Sequence, residues 1–303
     1  MSDNKPILIA GPTASGKSHL ALDIAQRVDS VIINADALQV YQGWSVLTAR
    51  PTEVDLAQAP HALYGHVSMT TPYSVGAWLR DVQSCLADCR QNGQRPIIIG
   101  GTGLYFLALT QGLAEIPAIS SEIRGEAEAL AAKHGKGIFA DHLERDDAQT
   151  HARIDALNPA RTQRAWEVLR QTGVGLSTWQ DNTPAPLIAP KDADKIHLLS
   201  DTDWLNARIE QRFDQMVDLG ALDECRAAQD SFWDETLPSC KAIGAKELIS
   251  HLKGECELTQ AIEDAKVQTR QYAKRQRSWF RGRMSDWQKL HIPYNNLDDT
   301  LFL

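Results

Sequence analysis

Apolar and polar positions along this chain fall into blocks that change character three times. In the first third, short apolar runs end on glycine or a polar residue and are followed by helix-spaced stretches. These runs are Ile7–Ala10, Val31–Asn34 and Pro96–Ile99, with His66–Ser68 as a weaker case. Runs of that length, bounded by turn residues and separated by helical segments, predict the strands of a parallel sheet flanked by helices. Lys195–Ser200 (KIHLLS) repeats the pattern later and is predicted to join the same sheet. From about residue 116 to 190 no strand pattern appears. That stretch carries Ala, Glu and Arg at helical spacing and is bounded by Pro117 and by the loop TPAPLIAP, so it reads as a helical insertion. From Trp204 to about Met284 the pattern is again helical, broken near Pro238–Gly244 and at Gly254. The expected organisation is an α/β core in residues 1–116, a helical insertion in 117–190, and a core continuation in 191–303 ending in a basic helix.

One junction in this pattern names a ligand group. After the run Ile7–Ala10 the chain reads Gly11-Pro12-Thr13-Ala14-Ser15-Gly16-Lys17-Ser18, then a helical stretch to Arg27. Gly-x-x-x-x-Gly-Lys-Ser between a strand and a helix turns successive backbone N–H groups around phosphate oxygens. Lys17 adds a point charge and Ser18 a hydroxyl suited to Mg²⁺. The helix that follows presents its positive end to the same anion. The loop predicts a P-loop NTPase-like core that binds linked phosphates. By itself it does not distinguish a nucleotide from any other diphosphate.

Composition narrows the class. With 303 residues, 43% hydrophobic and 23% charged, the chain has ordinary globular character, and no apolar run approaches a membrane span. The N-terminus MSDNKP lacks a signal-peptide pattern, and five scattered cysteines (Cys85, Cys89, Cys225, Cys240, Cys256) match no zinc spacing, which suggests a reducing cytoplasm. The net charge of −8 argues against indiscriminate nucleic-acid binding. Yet Lys266–Leu290 holds eight Lys/Arg against Asp286 alone, about +7. An acidic body with one basic limb suits selective docking to a polyanion, and a solvated helix face gives the same pattern.

Further positions carry chemistry. Asp36 follows an apolar strand in the string NADALQVY and suits a magnesium ligand, a general base or a helix cap. Gly100-Gly101-Thr102-Gly103 ends another strand in the same manner, with Thr102 offering a hydroxyl at the rim. Arg208 and Arg212 share one helix face, an arrangement that fits a diphosphate or a solvated pair. Lys266, Arg270, Lys274, Arg277 and Arg281 recur at spacings of four and three as one cationic stripe, while Tyr272 and Trp279 fall on another face. Trp279 is expected in the core rather than as a base-stacking platform. On these features alone a small-molecule kinase and a nucleotide-gated nucleic-acid switch both stay open.

In order along the chain, GPTASGKS, the Asp36-x-x-Gln39-x-Tyr41-x-Gly43 box, TARP (Thr48–Pro51), GGTGLY, RIxxRxxxM and TRQYAKRQRSWFR closely resemble the tRNA dimethylallyltransferase (tRNA isopentenyltransferase) family from about Ile7 to Trp287. The resemblance implies transfer of a dimethylallyl group from dimethylallyl diphosphate to N6 of the adenosine 3′ to the anticodon, with Mg²⁺ held near Ser18. It implies that the loop Gly11–Ser18 and Arg212 hold the diphosphate, and that Asp36 takes the N6 proton. Thr102 would sit near both substrates. Matching positions for tRNA contact are Asp36, Ala37, Leu38, Gln39, Thr102, Arg124, Ala160, Arg161, Thr162, Gln163, Arg164, Lys241, Lys246, Lys274, Arg275, Arg277 and Arg281. Partners are therefore tRNA and the prenyl donor, with no membrane and no obligate protein partner indicated. Several positions depart from the family pattern: Ala37 for serine, Trp44-Ser45-Val46-Leu47 for Met-Asp-Ile-Gly, Ala156-Leu157-Asn158 for Pro-Asn-Asp, and Ala245 for tyrosine.

Overall fold

Six strands form one parallel sheet in the order β3-β2-β4-β1-β5-β6. They are β1 (Ile7–Ala10), β2 (Ser30–Asn34), β3 (His61–Ala62), β4 (Arg95–Gly100), β5 (Asp194–Ser200) and β6 (Gln288–Ile292). The structure is a computed structural model and describes residues 5–293. Two compact units divide the chain: Met1–Thr110 together with Ile188–Leu303, and Gln111–Leu187.

The strand period of two explains how the sheet holds helices on both faces. Ile7, Ile9, Ile97, Ile99, Ile196 and Leu198 point to one side and pack on Leu20, Ala21 and Ile24 of the helix Lys17–Ala25. Leu8, Ala10, Ile33 and Ile98 point to the other and meet Trp78, Val82, Phe106, Leu109 and Phe280. Consecutive apolar residues in β1 and β4 are thus shared between two cores, and both strands are buried throughout. At the N-terminal edge, buried Arg95 of β4 donates from Nε to the Lys5 carbonyl (2.7 Å) and pairs through its guanidinium with Asp194 of β5.

Two strands differ from the sequence-based expectation. His66–Ser68 is not a strand; Val67 makes only an isolated bridge to Tyr41, and the short β3 at His61–Ala62 pairs with Ile32 and Ile33 instead. The basic helix ends at Arg283, where its pattern implies, and beyond it Gln288–Ile292 adds an unforeseen strand, β6, alongside Ile196–Ser200. Both are edge strands, where one face and one ladder are open, so no continuous apolar run marks them.

A separate core joins the C-terminal helices to the loop after β2. The helices Thr202–Asp218, Ala221–Ser231, Ala245–Leu252 and Leu258–Arg283 surround Trp44, Leu47, Phe213, Leu248 and Ala265. Trp44 is fully buried and donates from Nε1 to the Ser239 carbonyl (2.8 Å).

The unit Gln111–Leu187 is helical, with Phe139, Leu143, Ala165 and Trp166 at its centre. Its helix Pro159–Thr172 starts cleanly because Asn158 accepts from the Arg161 N–H (3.3 Å) and Pro159 occupies the first turn, where no N–H is needed. All five cysteines are free thiols, and burial pushes Cys89 up to about 11 and Cys225 up to about 12. Among the described residues no helix is long and apolar enough to cross a membrane.

Candidate active site

In a parallel sheet every strand ends on the same edge. The loops after β1, β2, β4 and β5 therefore gather there, and in the observed order they are neighbours. They enclose a cavity of about 570 Å³ whose lining includes Lys17, Asp36, Gln39, Arg50, Arg212 and Tyr272.

The loop after β1 adopts a strained, anion-ready backbone. Gly16 lies in the left-handed region (φ 86°) and so does Ala14 (φ 61°), a conformation that costs a side-chain-bearing residue energy. The strain is held from outside: Arg208 donates from Nε to the Ala14 carbonyl (3.1 Å), and the Gln276 side chain accepts from the Thr13 N–H (2.8 Å). Lys17 Nζ donates to the carbonyls of Gly11 (3.0 Å) and Pro12 (2.8 Å). Burial lowers its pKa to about 8, the Asp36 charge offsets part of that, and Arg212 pushes it slightly further down. Ser15 is buried with its hydroxyl unpartnered among the described residues. An unpartnered hydroxyl in the lining of a cavity that also holds Lys17 and Arg212 suits a phosphate oxygen.

Asp36 sits two residues beyond β2, where the backbone makes consecutive turns rather than an α-helix. The carboxylate therefore caps no helix. Its Oδ1 accepts from the Leu38 N–H (3.0 Å), and the hydroxyl of Thr102 accepts from the Ala37 N–H (2.9 Å). Ala37 contributes only its backbone to that contact, so loss of the family's serine leaves it intact. Gly100 has a steric reason to be glycine, because a Cβ there would lie 2.0 Å from the Ala35 carbonyl oxygen. Gln39 donates from Nε2 to the carbonyls of Thr48 (2.8 Å) and Ala49 (3.0 Å), which pins the TARP segment to the cavity wall.

Arg208 and Arg212 come from the helix after β5, and they part company in use. Arg212 faces the cavity, and burial lowers its pKa despite the Asp36 charge nearby. Arg208 supports the phosphate loop and stacks its guanidinium over Trp204, 5.0 Å from the ring centre.

The cationic stripe is less uniform than its spacing implies. Lys266 is buried against Asp214 (2.8 Å) and Glu263 (3.1 Å), Arg270 pairs with Glu210 (2.9 Å), and Arg277 donates to the Thr202 hydroxyl (2.5 Å). Lys274, Arg275 and Arg281 are exposed. Tyr272 lines the cavity, while Trp279 is half-buried over Gly103, where a Cβ would come within 2.1 Å of its ring. Lys241 donates to the Glu235 carbonyl, and Lys246 pairs with the Glu235 carboxylate (2.7 Å), so both bear on one acidic residue.

In the helical unit, Arg124, Ala160, Arg161 and Arg164 are exposed. Gln163 donates to Glu167 (2.9 Å), which lies 4.0 Å from Arg164. Thr162 is different from its neighbours: it is buried, and its hydroxyl turns back on the carbonyls of Asn158 and Pro159. Its side chain packs the helix start rather than presenting to solvent.

Arg50 and Tyr64 line the cavity and Asn34 and Gln276 bond its backbone; three of the four lie inside quoted strings, but those strings do not reveal what the side chains do. The nearest local signal is for Arg50, a cation inside the TARP string. Gln276 bridges the Thr13 N–H and the Gly101 carbonyl (2.9 Å), partners 263 and 175 positions away, and no spacing rule reveals such a contact.

Comparison with known proteins accounts for this combination. The IPP transferase family model matches residues 39–283, and the isopentenyl transferase model matches residues 5–64. This chain belongs to the IPP transferase family. It is 57% identical over 287 residues to the tRNA dimethylallyltransferase of Dinoroseobacter shibae, covering 95% of each chain. Against the corresponding Ruegeria protein it is 55% identical, covering 95% of this chain and 96% of the other. The crystal structure of the full-length tRNA isopentenylpyrophosphate transferase from Bacillus halodurans superposes with a TM-score of 0.70 at 30% identity, covering 98% of this chain and 93% of that one. A eukaryotic dimethylallyltransferase captured acting on tRNA superposes with a TM-score of 0.81 at 26% identity, covering 95% of this chain and 73% of the other.

Of the positions that stand apart from the expected pattern, Trp44, Leu47 and Ala245 are packed into the core. Trp44 and Leu47 are core residues, and the Glu224 carboxylate accepts from the N–H groups of Ser45, Val46 (3.0 Å) and Leu47 (2.8 Å). Ala245 is buried at a helix start beside Gly244 (φ 91°). Leu157, at 94% exposure, precedes the capping Asn158 and packs against nothing that would constrain it.

Proposed function

We propose that this protein transfers a dimethylallyl group from dimethylallyl diphosphate to N6 of the adenosine 3′ to the anticodon of tRNA. The observation that carries the reading is one cavity lined by the phosphate loop with Lys17, by Arg212 and by the Asp36 carboxylate. The allylic C–O bond of the donor breaks and a C–N6 bond forms. The electron pair of the broken bond leaves with the diphosphate, and the N6 proton passes to Asp36. Negative charge grows on the leaving oxygens, and the phosphate loop, Lys17 and Arg212 are the groups in this cavity that would stabilise it. N6 is a weak nucleophile, because its lone pair is delocalised into the ring, and a positioned carboxylate assists it by accepting the proton.

Mg²⁺ fits this site in a limited way. The exposed hydroxyl of Ser18 lines the cavity beside Lys17, and the described residues contain no cluster of three or more His, Cys, Asp or Glu able to cage an ion. Ser18 and the donor's own diphosphate would hold it. When bound, it neutralises charge on the leaving diphosphate.

For tRNA, the exposed Lys274, Arg275 and Arg281 on the long helix and Arg124, Arg161 and Arg164 on the helical unit supply cations suited to phosphates. The adenosine must leave its stack to reach an interior cavity. The test incubates the protein with dimethylallyl diphosphate, ATP or GTP, with and without tRNA, and then digests the tRNA to nucleosides. The expected product is N6-(dimethylallyl)adenosine, formed only with the prenyl donor and tRNA together. Phosphoryl transfer from ATP with unmodified tRNA would overturn the reading.

A further inference from the structure

Asn34 closes β2 and is fully buried, a costly place for a carboxamide unless every polar atom is used. All are. Its Oδ1 accepts from the Asp36 N–H (2.8 Å), and its Nδ2 donates to the carbonyls of Asp36 (3.0 Å) and Leu63 (3.0 Å). Its own carbonyl accepts from the Trp78 indole (2.8 Å). Two of the three side-chain bonds thus grip the backbone of a single residue, Asp36, on both its N–H and its C=O. The third reaches Leu63, which is held in the left-handed region (φ 64°) next to Tyr64 of the cavity wall.

We infer that Asn34 is a positioning residue for the Asp36 carboxylate, an inference that rests on Asp36 acting as the base. The side chain of Asp36 leaves a backbone that makes no helix and lies beyond the sheet ladder, so neither regular structure fixes its direction. The carboxamide of Asn34 does so from one side, and the Asp36 Oδ1 to Leu38 N–H bond does so from the other. Only a group with one acceptor and two donors in a plane serves all three partners. Aspartate offers no donor, and serine offers one hydroxyl on a shorter arm. A shift of the base by about 1 Å costs on the order of 10² in rate, so the grip acts on turnover rather than on donor binding.

The test measures single-turnover transfer at saturating donor and tRNA for Asn34→Ala and Asn34→Ser, each with Asp36 intact and combined with Asp36→Asn. With Asp36 intact, Asn34→Ala is expected to slow transfer by about 10–100-fold. Asn34→Ser should slow it less, and the Kd for dimethylallyl diphosphate should stay within about threefold in both. Combined with Asp36→Asn, the same changes should slow transfer by less than about twofold, because residues that act as a unit are not additive. Asn34→Ser keeps a hydroxyl for the Asp36 N–H and covers the case in which the alanine variant does not fold. Equal slowing in both backgrounds, or an unchanged rate with Asp36 intact, would overturn the inference. Full activity of Asp36→Asn alone would remove the base and this positioning role with it. Absence of transfer by the wild-type protein would instead count against the proposed function.

Discussion

Lys17 and Asp36 both line the cavity, and each can be tested by a change too small to disturb the fold. Asp36→Asn preserves the shape and the bond from the Leu38 N–H, since an amide oxygen accepts as well. What it loses is the ability to take a proton. The expected result is a fall in kcat of about 10²–10⁴ with donor affinity within a few fold and an unchanged Tm. Early melting with normal turnover would return Asp36 to a structural role. Lys17 carries a pH signature, because burial, only partly offset by Asp36, brings its pKa to about 8. A diphosphate binds the charged ammonium. Below that pH the charge is already present; above it, binding must also take up a proton, and affinity falls by up to about tenfold per pH unit. Titration of donor Kd from about pH 7 to about pH 9.5 should show this fall in the wild type and not in Lys17→Met, whose affinity is lower by about 1.5–3 kcal/mol at neutral pH, a gap that narrows as pH rises.

Along the helix Leu258–Arg283, one spacing serves two different purposes. Lys266 and Arg270 spend their charges on Asp214, Glu263 and Glu210, tying this helix to the helix Thr202–Asp218 that carries Arg212. Lys274, Arg275 and Arg281 keep theirs in solvent. Replacing Lys274 and Arg281 with alanine should weaken tRNA binding and make the slope of log affinity against log salt shallower, by about 0.7–0.9 for each phosphate left without its cation. Donor binding should not change. An unaltered slope in filter-binding titrations would mark the exposed cations as a solvated face. Replacing Lys266 with alanine should act differently, lowering Tm, because it leaves two carboxylates facing each other on packed helices.

The unit that contains the sheet closes its site by folding distant segments onto one edge, and Trp44 shows how much of its stability lies outside the motifs. It sits in the core of the C-terminal helices, edge-on to Phe232 (5.6 Å) and Trp233 (6.4 Å), with its indole N–H bonded to Ser239. Trp44→Ala should cost about 3–5 kcal/mol through reduced burial and the cavity left behind, read as a shift in urea midpoint at unchanged slope. The TARP segment next to it should loosen as well, raising the KM for the donor. A midpoint unchanged from wild type would show that this second core is not part of the cooperative unit.

What the sequence determined by itself is whatever depends on a short stretch of chain. Gly11–Ser18 specifies its own loop, since glycine at 16 permits the left-handed turn and the flanking strand and helix follow from local periodicity. The central strands β1, β2, β4 and β5 were legible because burial on both faces demands apolar residues at most positions. The edge strands β3 and β6 were not, because partial exposure erases that demand. Residue roles divided in the same way. The pocket positions of Lys17, Asp36 and Arg212 sit within motifs, whereas the tertiary structure alone decided that Lys266 and Arg270 are neutralised, that Thr162 is buried, and that Asn34 and Gln276 hold the site's backbone. A hydrogen bond or an ion pair depends on which groups meet in space. For Gln276 the partner is 263 residues away, and only the completed fold brings the two within 2.8 Å.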